Sequence, residues 1–144
     1  MKLDFWQVTH DPVDKVVTLI AKRVLAEGAR VLVVSADAEQ RQAISRALWQ
    51  AGPDSFLANG MADAPGADKQ PILLSDDLAP ANGAMHLILA DGTFRETDGF
   101  ARVFLLFAPD AAPAARQAWR AHDGREDIER AYFAQEDGRW VKRG

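Results

Sequence analysis

Two arginines and a tryptophan near residue 120 are the side chains of this sequence best suited to binding chemistry. Arg116, Trp119 and Arg120 stand at positions i, i+3 and i+4 of a predicted helix, which places all three on one helical face. Aromatic residues beside arginine are the composition of a peptide-binding hot spot. An arginine face open to solvent, with Trp119 turned inward, explains the spacing equally well.

A second pair of aromatic residues comes earlier in the chain, with Trp49 on a predicted helix and Phe56 just beyond its end. Trp49 is about 100° around the helix from Leu48, so it falls at the edge of the apolar stripe rather than within it. A tryptophan at such an edge is more often a residue of the core margin than a ligand contact. Phe56, however, follows closely enough to complete an aromatic pocket.

The sequence offers no pattern for catalysis or for metal binding. It contains no cysteine, which excludes disulfides and thiolate-ligated metals. The three histidines are far apart in the chain, and none has a second ligand at metal-binding spacing: His10, His86 and His122. His86 falls in an apolar strand, where a hydrogen-bonded core or edge residue is more common than a catalytic base. Neither Ser35 nor Ser55 lies in Gly-x-Ser-x-Gly, so we expect no catalytic, cofactor-binding or metal site.

Nucleotide and nucleic-acid binding are both weakly supported. Neither Gly-x-Gly-x-x-Gly nor the phosphate loop Gly-x-x-x-x-Gly-Lys-Ser/Thr occurs, and the turn at residues 35–39 is acidic and free of glycine. A nucleotide-dependent enzyme or nucleotide sensor of similar fold remains the alternative to a peptide-binding protein, because an α/β fold often binds nucleotides. The net charge of −4 argues against a general affinity for DNA, which depends on neutralising phosphates. We expect any role at DNA to be indirect.

The first half of the chain predicts alternating strands and helices. Residues 3–8 read as a strand, and Asp11 as N-cap with Pro12 at the first helical position begins a helix that should end at Glu27-Gly28. The run after Arg30 is short, apolar and β-branched, as in a parallel strand buried on both faces. Ser35 and Asp37 offer caps for a second helix, which Gly52 and Pro53 should end.

The second half predicts further strands, one helix and a hairpin. Residues 57–69 read as an exposed loop, and 94–100 as a short helix or an irregular connection. Pro113 should open a helix to about Ala121. Asp137-Gly138 predicts a hairpin turn, although residues 125–135 alone could be helical. The remaining predicted strands are residues 71–74, 85–89 and 102–107, the last of them central, and the two hairpin arms, 128–135 and 139–142.

The length predicts one domain over residues 1–144, and the alternation of strands and helices predicts an α/β fold with a mostly parallel sheet and helices on both faces. With no phosphate-loop motif, the expected topology is Rossmann-like without a nucleotide-binding loop. The 144 residues and 48% hydrophobic content suit a single core. No apolar run approaches the roughly 18 residues that cross a bilayer, and the N-terminus lacks the apolar region of a signal peptide. We therefore expect a cytoplasmic protein with no membrane partner.

Several short pieces, in order and over nearly the whole chain, resemble one known family, the chi subunit of bacterial DNA polymerase III. The pieces are Phe5-Trp6, Arg30-Val31-Leu32-Val33, Ala47-Leu48-Trp49, Ser55-Phe56-Leu57 with Gly60, Gln70-Pro71-Ile72, Leu106-Phe107, Ala115-Arg116 with Trp119-Arg120, Tyr132-Phe133 and Trp140. No single piece is very specific, but their order and spacing together are.

The resemblance implies a replisome adaptor without nucleotide chemistry and with two protein partners. These are the psi subunit of the clamp loader and the acidic C-terminal tail of single-stranded DNA-binding protein, which ends in an aromatic residue bearing the terminal carboxylate. At matching positions of this sequence the resemblance assigns tail binding to Trp49, Phe56, Arg116 and Trp119, with Arg120 at a basic position. It places no residue at the psi surface.

The sequence departs from the family pattern at two places. Ala58-Asn59 stands where the family often has Pro-His before a glycine, which weakens any inference about that loop. Ala112 stands one helical turn before Arg116, where some relatives are basic. The second departure predicts weaker tail binding than in those relatives.

Overall fold

The computed structural model describes residues 1–51 and 57–144. Within them the chain forms eight strands and three α-helices. The strands are β1 (Lys2–Gln7), β2 (Val31–Val34), β3 (Asn59–Met61), β4 (Ile72–Ser75), β5 (His86–Leu89), β6 (Arg102–Phe107), β7 (Glu129–Glu136) and β8 (Arg139–Lys142). The helices are α1 (Val13–Ala26), α2 (Ala38–Trp49) and α3 (Ala112–Ala121). No helix in these ranges is long and apolar enough to cross a membrane.

All eight strands belong to one sheet, in the order β3-β4-β2-β5-β6-β1-β7-β8. Neighbouring strands are parallel except β7 and β8, which pair antiparallel. The predicted α/β class with a mostly parallel sheet is therefore confirmed. β6 lies in the interior of the sheet between β5 and β1, as its apolar sequence predicts.

The two faces of the sheet carry different helices. Alternate residues of a strand point to opposite faces, and in β2 Val33 packs into the core beneath α1 and α2, whereas Leu32 packs into the core beneath α3. All four residues of β2 are buried, as predicted for a strand covered on both sides. α1 and α2 thus cover one face of the sheet, and α3 covers the other.

One of the two predicted helix caps is confirmed and the other is wrong. Asp37 caps α2, because its Oδ1 accepts the backbone N–H groups of Glu39 at 2.9 Å and Gln40 at 3.3 Å. Pro12, not Asp11, occupies the N-cap position of α1, and no side chain caps that helix. The Asp11 carboxylate instead accepts a hydrogen bond from Nε2 of Gln135 at 2.9 Å.

Other local predictions meet mixed outcomes. The predicted loop at 57–69 is wrong in part, because it contains β3 and a short 3-10 helix at Ala67–Lys69. β3 lacks β-branched residues and owes its conformation to pairing with β4. Residues 94–100 form an irregular connection, and residues 125–135 form no helix but enter β7. α3 begins one residue before Pro113. The predicted helix end at Gly52-Pro53 lies outside the described residues.

The β7–β8 hairpin is fixed to the sheet by its turn and by one tryptophan. Asp137 and Gly138 both have positive φ, 51° and 77°, as a two-residue hairpin turn requires. The Trp140 ring of β8 packs 4.6 Å, centroid to centroid, from the ring of Trp6 in β1. Trp6 also contacts Phe133 of β7, with centroids 5.4 Å apart. The edge strand is thereby anchored to the core on the α1 face.

A single glutamine side chain closes the loop between β1 and α1. Oε1 of Gln135 accepts the backbone N–H groups of three successive residues, Thr9, His10 and Asp11, at 3.0 to 3.2 Å. Gln135 is only 6% exposed. Because buried N–H groups must find acceptors, this one side chain ties the β1–α1 loop to β7.

Replacing Gln135 with alanine should destabilise the fold by about 2 kcal/mol, because several part-buried N–H groups lose their acceptor. The free energy of unfolding from urea titration measures the effect. Gln42→Ala, at an exposed position of α2, serves as the control and should change stability by less than about 0.5 kcal/mol. Equal stability of the two variants would show that water replaces the Gln135 amide without loss.

Candidate functional site

The arginines of α3 are held on the outer side of a helix that packs through small residues. Ala112, Ala115 and Ala118 are buried against the sheet, so Arg116 and Arg120 remain exposed. No carboxylate in the described parts of the chain forms an ion pair with either guanidinium group. Both arginines are therefore free to bind an external acid.

Trp119 is shared between the core and the surface. Its ring makes T-shaped contacts with Phe5, at a centroid distance of 5.3 Å, and with Tyr132, at 6.0 Å. The guanidinium of Arg130 lies 4.4 Å from the indole centroid on β7's side of the helix. Trp119 is only partly buried. The inward-turned alternative is thus correct for most of the ring, while part of it stays accessible beside the arginines.

Tyr132 completes this side of the helix. Its hydroxyl donates to Oε1 of Gln7 at 2.8 Å. Burial raises the pKa of Tyr132, and the positive charge of Arg116 acts in the opposite direction. Arg116 is therefore close enough to influence the phenol. We refer to Arg116, Trp119, Arg120, Arg130 and Tyr132 together as the α3 surface.

Two members of the α3 surface, Arg130 and Tyr132, are not among the residues predicted from the sequence. Both point to the α3 side of β7, because they are two residues apart in one strand. That alternation is the signal that could have found them once β7 was assigned as a strand. Arg130 is already paired with Asp123 at 2.8 Å, so Arg116 and Arg120 carry the free charge.

Trp49 lies elsewhere on the molecule. It is 62% exposed at the end of α2, and α2 packs through Ile44 and Leu48 on the sheet face opposite α3. α2 contacts β3 and β4, near the far edge of the sheet from β7. The exposed ring excludes the core-margin interpretation. The structure does not bring Trp49 together with Arg116, Trp119 and Arg120, and Phe56 lies outside the described residues.

The carboxyl ends of the strands, where open α/β sheets bind nucleotides, hold a cavity of about 460 Å³. Its lining is acidic, with Asp37, Asp91 and Asp110. The N–H of Ala36, after β2, donates to Oδ2 of Asp91 at 2.9 Å, and the loop after β1 is bonded to Gln135. These backbone donors after β1 and β2 are therefore already bonded to acceptors of this chain and are not available to a phosphate.

Asp91 forms a compact polar cluster at this end of the sheet. Burial alone would raise the pKa of its carboxyl group, but hydrogen bonds from Arg95 and from two backbone N–H groups hold that pKa below its ordinary value. Arg95 donates to both carboxylate oxygens, at 2.9 and 2.7 Å. The carboxylate is thus stabilised in its charged form and connects the loop after β5 to the start of α2.

His86 differs in detail from its prediction. It is half-buried at the start of β5, as a core or edge residue should be, but its buried Nδ1 atom has no hydrogen-bond partner among residues 1–51 and 57–144. Burial lowers the pKa of His86, and the nearby Arg102 lowers it further, against the opposing charge of Glu27. Across residues 1–51 and 57–144, no three side chains of His, Asp or Glu are grouped to hold a metal ion.

Asp91→Asn should lower the free energy of unfolding by about 1 kcal/mol at pH 7, because the ion pair with Arg95 is lost. The folded pKa of Asp91 lies below the unfolded value of about 3.9, so its stabilisation is complete above that value and disappears as the pH falls through the folded pKa. The stability difference between wild type and variant, from urea titrations at pH 7 and pH 2.5, should therefore shrink in acid. A difference independent of pH would contradict this role.

Comparison with known proteins gives one family. A family model described as DNA polymerase III chi subunit, HolC, matches residues 1–126. No curated protein matches the chain significantly. The matched range includes α3 with Arg116, Trp119 and Arg120, and ends shortly before β7.

Proposed function

The chain belongs to the family of DNA polymerase III chi subunits, and from this premise we propose that it is a non-catalytic adaptor of the replicase. It links the clamp loader, through the psi subunit, to the C-terminal tail of single-stranded DNA-binding protein, and it works in the cytoplasm at the replisome. The observation that carries the proposal is the α3 surface, where two exposed arginines stand beside a partly accessible indole and a tyrosine. Neither arginine forms an ion pair within the part of the chain that the structure describes.

The α3 surface suits a ligand that is both acidic and aromatic. Guanidinium groups form bidentate, charge-assisted hydrogen bonds with carboxylates. Arg116 and Arg120 break no ion pair with the described residues when they do so. Trp119 and Tyr132 offer ring surface to the aromatic end of the tail. Ala112, one turn before Arg116, is uncharged and buried. The α3 surface therefore has no basic side chain at that position, and we expect weaker tail binding than in relatives that are basic there.

An adaptor needs two surfaces that can be occupied together. Trp49 lies on the opposite face of the sheet from α3, and such an exposed tryptophan is typical of a protein-binding hot spot. A short tail cannot contact both faces at once without crossing the edge of the sheet. We therefore assign the tail to the α3 surface and the psi subunit to the surface around Trp49, and we separate the two groups that the sequence predicts as one site.

The two alternatives have less support. For a nucleotide-dependent enzyme or sensor, the backbone donors at the carboxyl ends of β1 and β2 are bonded to Gln135 and Asp91, and the adjoining cavity is acidic. For direct DNA binding, the net charge of −4 opposes a general attraction to phosphate. Titration with ATP, GTP and a labelled single-stranded oligonucleotide tests both, and binding at physiological salt would favour an alternative over the adaptor.

Arg116→Ala should weaken binding of the tail peptide by about 1.5 to 3 kcal/mol, which is the usual worth of a hydrogen bond to a charged group. Calorimetric titration measures the affinity, and a melting curve should show an intact fold because Arg116 is exposed. Arg23→Ala removes the same charge from an exposed position on α1 and should leave the affinity within about twofold of wild type. Equal effects of the two substitutions would reduce the interaction to diffuse charge attraction.

Trp49→Ala should separate the two partners. Because the ring is mostly exposed, we expect a stability loss below about 1 kcal/mol and an unchanged affinity for the tail peptide. Binding of the psi subunit should weaken by about 2 kcal/mol or more, as for a tryptophan hot spot. The measurement is a pair of calorimetric titrations with the same variant. Weaker tail binding at unchanged psi binding would restore the single aromatic pocket predicted from the sequence.

A further inference from the structure

The outer edge of β8 offers unpaired backbone groups. β8 is the last strand of the sheet, and in the described part of the chain no other strand lies beyond it. Its register with β7 places Ala134 opposite Val141 and Glu136 opposite Arg139. In a two-residue hairpin these two pairs exchange both hydrogen bonds, so the N–H and C=O groups of Trp140 and Lys142 point away from β7.

The backbone conformation of this edge is fixed by the turn and by side-chain packing. The positive-φ turn at Asp137 and Gly138 sets the register of the hairpin, and Trp140 is packed against Trp6. An added strand would therefore meet donors and acceptors that are already at the right spacing, which reduces the ordering entropy that binding must offset.

The charge of the edge selects its partner. Arg139 and Lys142 are exposed at the two ends of β8, and the hairpin's Glu136 is already paired with Arg143. A second copy of the same edge would bring like charges together, which is one way proteins prevent edge-to-edge association. An extended segment rich in Asp or Glu is instead attracted.

The edge leads directly to the α3 surface. After β8, the N–H of Arg143 donates to the carbonyl oxygen of Tyr132 at 2.6 Å. A β-carbon placed on Gly144 would lie 3.5 Å from Cη2 of Trp119 and 3.5 Å from Cβ of Tyr132. The N–H of Tyr132 in turn donates to the carbonyl oxygen of Gly144 at 3.3 Å, so the end of the hairpin lies beside the residues to which we assign the aromatic end of the tail.

We propose that the acidic peptide bound at the α3 surface also adds to the outer edge of β8 as a ninth strand, an inference that rests on the proposed function. With its carboxyl end beside Trp119, next to Gly144, the peptide runs parallel to β8. Its acidic residues lie along Arg139 to Lys142, a length of about 13 Å for four residues. Main-chain bonds supply affinity at this edge, and the basic side chains select for acidity.

Alternating N-methylation of the tail peptide tests the strand addition. Two peptides of the same sequence carry N-methyl groups on alternate residues of the acidic stretch, one on the odd positions and one on the even positions. Because successive N–H groups of a strand point in opposite directions, only one set faces β8. We expect at least a tenfold difference in affinity between the two peptides in calorimetric titration. Equal affinities, whether both strong or both weak, would overturn the proposal.

A protein variant gives an independent readout. Lys142→Pro removes the outward N–H of β8 at an edge position that tolerates proline, and Lys142→Ala removes the same charge but keeps that N–H. We expect the proline variant to bind the tail peptide at least threefold more weakly than the alanine variant, with equal melting temperatures. Should proline unfold the hairpin, hydrogen exchange in the wild type decides: the Trp140 and Lys142 amides should exchange at least tenfold more slowly with peptide bound, and unchanged exchange refutes the pairing.

The outcomes distinguish the inference from the function on which it rests. The tail peptide could bind and lose affinity with Arg116→Ala, yet show neither the N-methyl difference nor amide protection. That result would support the adaptor function and refute the ninth strand. A tail peptide that does not bind the wild-type protein removes both.

Discussion

The handedness of strand–helix–strand connections governs the layout of this molecule. Crossovers between parallel strands are right-handed, so the direction in which the chain moves across the sheet decides which face the connecting helix covers. From β1 to β2 and from β2 to β3 the chain moves towards one edge, and from β6 to β7 it moves towards the other. α1 and α2 therefore share one face while α3 covers the opposite one. The distance between Trp49 and Arg116 follows from this reversal, as does the possibility of binding two partners at once.

The same reversal creates a crevice at the carboxyl ends of β2, β5 and β6, which in other open α/β sheets receives a nucleotide. Here the chain fills the corresponding roles itself. The amide of Gln135 takes the N–H groups after β1, and the carboxylate of Asp91 takes that of Ala36 after β2. These contacts make the loops part of the scaffold. Within the described part of the chain, we propose the outer side of α3, the end of α2 and the edge of the hairpin as recognition surfaces, and all three suit polypeptides better than small anions.

The sequence predicts the regular elements well where local and tertiary preferences agree. β2 and β6 are continuous apolar runs, Asp37 caps α2, and Asp137-Gly138 makes the hairpin turn. Prediction from the sequence fails where tertiary contacts determine the local conformation. β3 contains Asn59, Gly60 and Met61, which have little strand preference of their own, and Asp11 is drawn from its helix to Gln135 across more than a hundred residues of sequence.

For the candidate site as well, the sequence predicts the local geometry but not the tertiary contacts. Helical spacing correctly places Arg116 and Arg120 together on the exposed side of α3, because i to i+4 geometry is local. Residue spacing within one helix does not show on which face of a sheet another helix packs. The sequence therefore groups Trp49 with these residues, whereas the topology places it on the opposite face. Arg130 and Tyr132 join Trp119 only through the pairing of β7 with β1. Such partners become visible only when the strand order is known.

We propose that two partners bind on opposite faces of the sheet without excluding each other. The most direct measurement is a calorimetric titration of the tail peptide into the chain alone and into the chain saturated with the psi subunit. Because the α3 surface and Trp49 lie on different faces of the sheet, we expect equal tail affinities within about twofold and a complex containing all three components. Displacement of the psi subunit by the peptide, or a loss of tail affinity of more than about tenfold in its presence, would contradict it.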